Sequence, residues 1–138
     1  MIYALDTNII LRYLREDANV CHNFDDAIDR GCDIIIPKMV DYEILRGFRI
    51  MSTPSPKKES AYKILTEQCK VTSLDEFFGE RVVDVYAGLY HKGFTVGDMD
   101  ILIAAFCLDY NCMLVTNNSK DFKNVDGLIM VDWTLTST

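Results

Sequence analysis

Residues 1–10 read "MIYALDTNII". Ile2 to Leu5 form a short apolar run without alternation, the pattern of a strand buried on both faces of a parallel sheet. Asp6-Thr7-Asn8 follows at once, and Ile9, Ile10, Tyr13 and Leu14 then fall on one side of a helix expected over 8–15. A strand that passes into a helix with no loop between them is the first half of a βα unit, and Asp6 stands at the joint. Two roles are open to it. Aspartate is a common N-cap, and the carboxyl end of a parallel strand is also where open α/β sheets bind ligands. The choice turns on whether other carboxylates face Asp6.

The pattern repeats along the chain. Helices are expected over 23–30, 38–51, 57–68, 75–91 and 98–110. Further strands are expected over 34–36, 69–72 and 113–116, with a fifth over 128–131. Gly31 and Gly93 stop helices, and Pro37 closes the second strand. The prolines in Ser52-Thr-Pro-Ser-Pro56 end one helix and open the next. The helix over 98–110 is apolar nearly all round, so it belongs against the sheet. Strands separated by helices imply an α/β fold: a mostly parallel sheet of four or five strands with helices on both faces.

At 138 residues the chain fits one domain spanning 1–138, with 49% hydrophobic and 25% charged residues. Its longest apolar run, Ile101 to Leu108, is too short for a bilayer. The N-terminus lacks the basic flank of a signal peptide, so no membrane association and a cytoplasmic location are expected. The five cysteines contain no C-x-x-C pair, which argues against a disulfide framework or a structural zinc site. The net charge of −7 is unusual for a protein that touches phosphates, so a nucleic-acid partner requires the acids to have a use.

Acids capable of meeting are Asp6, Glu43, Asp100 and Asp121. Each has a plain structural role available: Asp6 as a cap, Asp100 as a first-turn charge favoured by the helix dipole, Asp121 as a turn residue. Asp98 is assigned as the N-cap of the helix carrying Ile101 to Leu108. Glu43 lies at the margin of its helix's apolar face beside Gly47, and Asp41 falls between Phe48 and Leu45, so periodicity does not choose between them. Carboxylates gathered in one pocket raise each other's pKa unless a proton or a cation compensates. All-oxygen ligands select hard ions, Mg²⁺ or Mn²⁺, and such a site activates water for attack on a phosphodiester.

The segments "LDTNIIL" (5–11), "VDYEILRGF" (40–48), "VGDMDILIAA" (96–105) and "LVTNNSKDF" (114–122) resemble, in order and approximate spacing, the motifs of PIN-domain ribonucleases. The chain is similar in particular to the VapC toxins of bacterial type II toxin–antitoxin pairs. The resemblance covers essentially the whole chain. It implies a three-layer α/β/α sandwich and a Mg²⁺- or Mn²⁺-dependent endoribonuclease, with Asp6, Glu43, Asp100 and Asp121 as catalytic and metal-binding acids. Thr7 and Asn8 would support Asp6, and Thr116 and Asn118 would order the last loop. The implied partners are RNA, a VapB-like antitoxin across the groove, and a second copy in a homodimer. Residues 93–133 are similar to the subgroup that cleaves initiator tRNA in its anticodon loop. Arg46 and Arg49 are the candidate RNA contacts. Tyr86, Tyr90 and Phe94 are expected in the core rather than stacked on bases, and His22 and His91 carry no assigned role.

Two other functions remain for comparison. A phosphohydrolase with an aspartate nucleophile would carry a second Asp two residues after Asp6, where this chain has Asn8. A catalytically inactive PIN-like binding module would have lost acids that this chain keeps.

Overall fold

The computed structural model describes residues 1–74 and 78–136. Among these, β1 (Ile2–Leu5) lies at the centre of a five-stranded parallel sheet. It pairs with β2 (Asp33–Ile36) on one side and β4 (Met113–Val115) on the other. The register sets Tyr3 opposite Ile34 and opposite Met113. The edges are β3 (Lys70–Val71) and β5 (Met130–Val131), giving the order β3-β2-β1-β4-β5. Both edges pair over two residues each, shorter than the sequence pattern implied. Short edges leave little unpaired backbone for another chain.

The helices are α1 (Thr7–Leu14), α2 (Ala18–Asp29), α3 (Lys38–Ile50), α4 (Pro56–Gln68), α5 (Phe78–His91), α6 (Asp98–Asp109) and the single turn α7 (Ser119–Phe122). Right-handed crossovers from β1 to β2 to β3 put α1 to α4 on one face, and the return to β4 puts α5 and α6 on the other. The packing agrees: α1 touches α2, α3 and α4, while α5 lies along α6, which rests on β4. Strand order therefore reverses between β1 and β4, and the crevice beyond their carboxyl ends is the topological switch point.

The core runs through both layers. Leu5, Ile9, Ile10, Ile36, Val40, Ile103, Leu114 and Val115 are all fully buried. Each such aliphatic side chain contributes about 1.5–3 kcal/mol of burial free energy. Helix α6 is buried at Ile101, Ile103, Ala104, Ala105, Phe106 and Cys107, as its apolar composition requires. Trp133, just past β5, packs edge-on against Tyr3 and Phe24 at centroid distances of 5.2 and 6.4 Å. All five cysteines are free.

Several expectations change. Helix α2 starts at Ala18, five residues before the expected Asn23, because Asp17 caps it by accepting from the N–H groups of Asn19 and Val20. The α7 turn was not foreseen. The expected helix start at 75–77 lies outside the described residues. Asp98 is not the N-cap of α6: Gly97 occupies that position with extended backbone, and Asp98 and Asp100 both fall in the first turn. Tyr86, Tyr90 and Phe94 are not core; they are exposed, and the two tyrosines stack on each other at 6.2 Å. The opposite face of α5, carrying Val85 and Leu89, is the one packed inward.

Asp41 illustrates how the fold disposes of an acid. It is 7% exposed, accepts a 2.7 Å hydrogen bond from the Tyr62 hydroxyl, and lies 3.4 Å from the Lys38 ammonium. Removing the hydroxyl would leave one buried carboxylate oxygen without its donor. Tyr62→Phe is accordingly expected to lower stability by about 1–2 kcal/mol in urea denaturation, with no change in native far-UV circular dichroism.

Candidate active site at the carboxyl ends of the strands

Asp6 is 4% exposed, and its surroundings are built from three directions. It is the N-cap of α1, where its Oδ1 accepts from the Thr7 N–H at 2.8 Å. Its Oδ2 accepts from the Asn8 side-chain amide at 3.1 Å and from the Thr116 hydroxyl at 2.8 Å. Thr116 is present because β4 lies beside β1, and the Asp6 N–H itself donates to the Val115 carbonyl at 2.9 Å. Cap and site are one residue.

Glu43 enters from α3. The Thr7 hydroxyl donates to its Oε1 at 2.9 Å, and Arg46, one turn on, lies 3.8 Å from its Oε2. This separates it from Asp41, which points into the core under Tyr62. It also corrects the role expected of Thr7: its backbone serves Asp6, while its side chain holds Glu43. Asp100 comes from the first turn of α6, and Asp121 from α7, where the Asn118 side chain donates to it. Asn118 is held in turn by its N–H to the Thr116 hydroxyl at 3.0 Å. Asn117, to which the sequence reading gave no role, donates its N–H to the Asn8 side-chain oxygen at 2.9 Å. Its position between two motif residues was the available signal.

Asp6, Glu43 and Asp100 each respond to burial and to a neighbouring carboxylate. Burial, then the charges of Asp6, Asp121 and Glu43, push Asp100 up to about 6. Burial raises Asp6 as well, opposed by hydrogen bonds from Thr116, Thr7 and Asn8 and reinforced by the charge of Asp121. Glu43 is raised by burial and by Asp6, against the hydrogen bond from Thr7 and the charge of Arg46. Asp100, on α6, thus lies within electrostatic reach of Asp6 at the β1–α1 joint, Glu43 on α3 and Asp121 on α7.

A cavity of about 340 Å³ opens beside Glu43 between α1, α3 and α4. Thr7, Glu43, Arg15 and Lys58 supply its polar lining and Leu11, Leu14, Phe48 and Met51 its apolar one. Gly47 also lines it, and a Cβ there would meet nothing within 4 Å. Arg46 is exposed and sits over the Tyr42 ring at 5.0 Å, and Arg49 is exposed near the end of α3.

A sequence model of the PIN domain matches residues 3–128. The chain belongs to the PIN domain family. Among relatives, it is 28% identical to Ribonuclease VapC2 of Rickettsia felis, covering 96% of this chain and 98% of the relative. It is 25% identical to the tRNA(fMet)-specific endonuclease VapC of Shigella flexneri, covering 95% and 97%. Among solved structures, a chain of the R. felis VapBC2 complex bound to a promoter DNA fragment superposes with a TM-score of 0.87 at 26% identity, covering 96% of this chain and 99% of that one.

As it stands, this PIN domain holds no ready-made cage of three metal-ligating side chains among the described residues. The raised acids nevertheless fit a hard divalent cation. Mg²⁺ takes few carboxylates directly and keeps waters between itself and the rest, so a loose acidic ring suits it better than a tight one.

The acids also set a sign for pH dependence. Asp100 titrates higher in the folded chain than in the unfolded one, so the native state binds more protons between pH 4 and 6. The stability it contributes is full below about pH 4 and is lost as pH rises through about 6. In chelator, Asp100→Asn is expected to be more stable than wild type at pH 7.5, by about 1 kcal/mol after allowance for partial exposure. The difference should vanish below pH 4, as thermal melts across that range would record.

Proposed function

We propose that this PIN domain is a divalent-metal-dependent endoribonuclease and the toxin of a VapBC-type toxin–antitoxin pair, with initiator tRNA, cut in the anticodon loop, as its substrate. The observation that carries the reading is that Asp100, at the switch point of the sheet, is half-buried within electrostatic reach of Asp6, Asp121 and Glu43, and that Asp6 is itself buried among the donors Thr7, Asn8 and Thr116. An uncompensated acidic cluster destabilises the fold, and a phosphodiesterase has a use for it. The ribonuclease names of the relatives support the chemistry, and the tRNA(fMet)-specific relative supports the substrate.

Bound Mg²⁺ or Mn²⁺ would supply an acidified water and neutralise charge on the scissile phosphate. Asp6 and Asp100 would hold the ion directly, with Asp6 fixed in direction by Thr7, Asn8 and Thr116. Glu43 and Asp121 would complete the site directly or through water. Glu43, raised by burial and held by Thr7, would orient the attacking water and take its proton. Arg46 and Arg49 would contact the RNA backbone, local cations on a chain whose net charge is −7.

The largely apolar cavity beside Glu43 is a fitting place for the antitoxin, because an apolar segment seated there lies against Glu43 as well. No helix among the described residues is long and apolar enough to cross a membrane, in keeping with cytoplasmic action on RNA.

Incubation of purified protein with an initiator tRNA anticodon stem-loop and Mn²⁺ tests the reading. Wild type is expected to cut within the loop. Asp6→Asn should lose at least about a hundredfold in rate, the scale of removing a group that stabilises transition-state charge. Mn²⁺ should raise the melting temperature of wild type but not of Asp100→Asn. RNA left whole by wild type and variant alike would refute the nuclease assignment.

A further inference from the structure

The acids are held by donors, and the donors are held by something further out. Asn8 is the clearest case. Its side-chain oxygen accepts from the Asn117 N–H, which leaves its amide no choice but to point at Asp6. Asn117 itself is exposed, yet all of its side-chain polar groups are engaged. Its Oδ1 accepts from Arg12 Nη2 at 3.3 Å, and its Nδ2 donates to Asp132 Oδ2 at 3.2 Å and to the Thr134 hydroxyl at 3.3 Å.

Behind Asn117 the chain past β5 is rigidly tied. Asp132 Oδ1 accepts from both the N–H and the hydroxyl of Thr134, at 2.8 and 2.6 Å. Helix α2 grips the same stretch: Asn19 donates to the Thr134 carbonyl, and Asn23 to the carbonyls of Trp133 and Leu135. Trp133 between them is 4% exposed against Tyr3 and Phe24. A brace anchored in the core thus reaches the loop after β4 through the Asn117 side chain, beside the ladder bond from the Thr116 N–H to the Val131 carbonyl at 3.0 Å.

We propose that Asn117 is a positioning residue for the reaction, its bond to Asp132 bracing the 116–118 loop so that Asn8 and Thr116 hold Asp6 in its working direction. The inference rests on the nuclease reading above. It adds two residues, Asn117 and Asp132, that touch neither substrate nor ion. Because Asn117 is exposed, truncating it opens no cavity, and its effect on the site is separable from an effect on folding.

The bond has a defined polarity, amide of residue 117 to carboxylate of residue 132, and this polarity can be inverted at constant charge. Asn117→Asp combined with Asp132→Asn restores a donor–acceptor pair facing the other way, and Arg12 still finds an oxygen at 117. Four chains are compared with wild type: Asn117→Ala, each charge variant alone, and the double variant. The readouts are Mn²⁺ affinity, from free Mn²⁺ counted by electron paramagnetic resonance, and kcat and KM on the RNA stem-loop. Urea midpoints followed by Trp133 emission check folding.

Asn117→Ala and Asp132→Asn are expected to lose about ten- to a hundredfold in Mn²⁺ affinity or kcat, the usual scale for groups that orient metal-binding side chains. KM for RNA and the urea midpoint should stay near wild type, and the double variant should recover most of the loss. Asn117→Ala within twofold of wild type in both affinity and kcat would overturn the proposal. So would a double variant as impaired as its two single changes multiplied together, or losses that merely follow the urea midpoint. A wild-type chain that neither binds Mn²⁺ nor cleaves RNA overturns the nuclease reading and this one together, whereas active wild type beside equally active Asn117→Ala overturns this one alone.

Discussion

A carboxylate taken out of water must be met by donors, and the arrangement around Asp6 follows from that requirement. Transfer of an unpaired charge into a protein interior is among the most costly events in folding. Here the cost is offset by a backbone N–H at the positive end of α1, a side-chain amide from the same helix, and a hydroxyl from the neighbouring strand. Each donor depends on a larger feature: the immediate passage from β1 to α1, the parallel pairing of β1 with β4, and the reversal of strand order between them. Disturbing any of these strands a charge in the interior. The question of whether Asp6 caps a helix or builds a site had no exclusive answer, since the same hydrogen bonds do both.

The remaining acids turn a satisfied carboxylate into a frustrated cluster. The charge of Asp121 raises Asp6, and those of Asp6, Asp121 and Glu43 raise Asp100. Arg46 pairs with Glu43, and at 3.8 Å on an exposed side chain its compensation is weak. Local disagreement of this kind within an otherwise consistent fold is the mark of a functional site. Asp41 supplies the contrast. It is a more deeply buried acid two residues from Glu43, but it is met by a tyrosine hydroxyl and a lysine on the other side of α3.

How much of this was legible beforehand depended on how local each signal was. Strands β1 and β2 and helices α1, α3, α4 and α6 follow from short apolar runs, prolines and glycines, and they appear within one or two residues of their expected bounds. The four acids were recognisable as ordered motifs. What periodicity could not decide was Glu43 against Asp41. Glu43 lies at the margin of the apolar face and Asp41 between Phe48 and Leu45 within it, and the decision is made by Tyr62 on α4 and Thr7 on α1, neither adjacent in sequence. Tyr86 and Tyr90 misled for a related reason: spacing of four marks a helical face without saying which face turns inward, and α5 packs on α6 through Val85 and Leu89 instead. Asp98 looked like a cap because aspartate often is one, but glycine also serves there, and Gly97 came first.

The cavity beside Glu43 ties recognition to chemistry in a way neither part would show alone. Its wall carries Thr7 and Glu43 on one side and the apolar Leu11, Leu14, Phe48 and Met51 on the other. Thr7 is therefore shared: its N–H fixes Asp6, its hydroxyl fixes Glu43, and its side chain lines the groove. The groove wall and the hydrogen bonds that orient Asp6 and Glu43 thus share one residue, contributed by the first turn of α1.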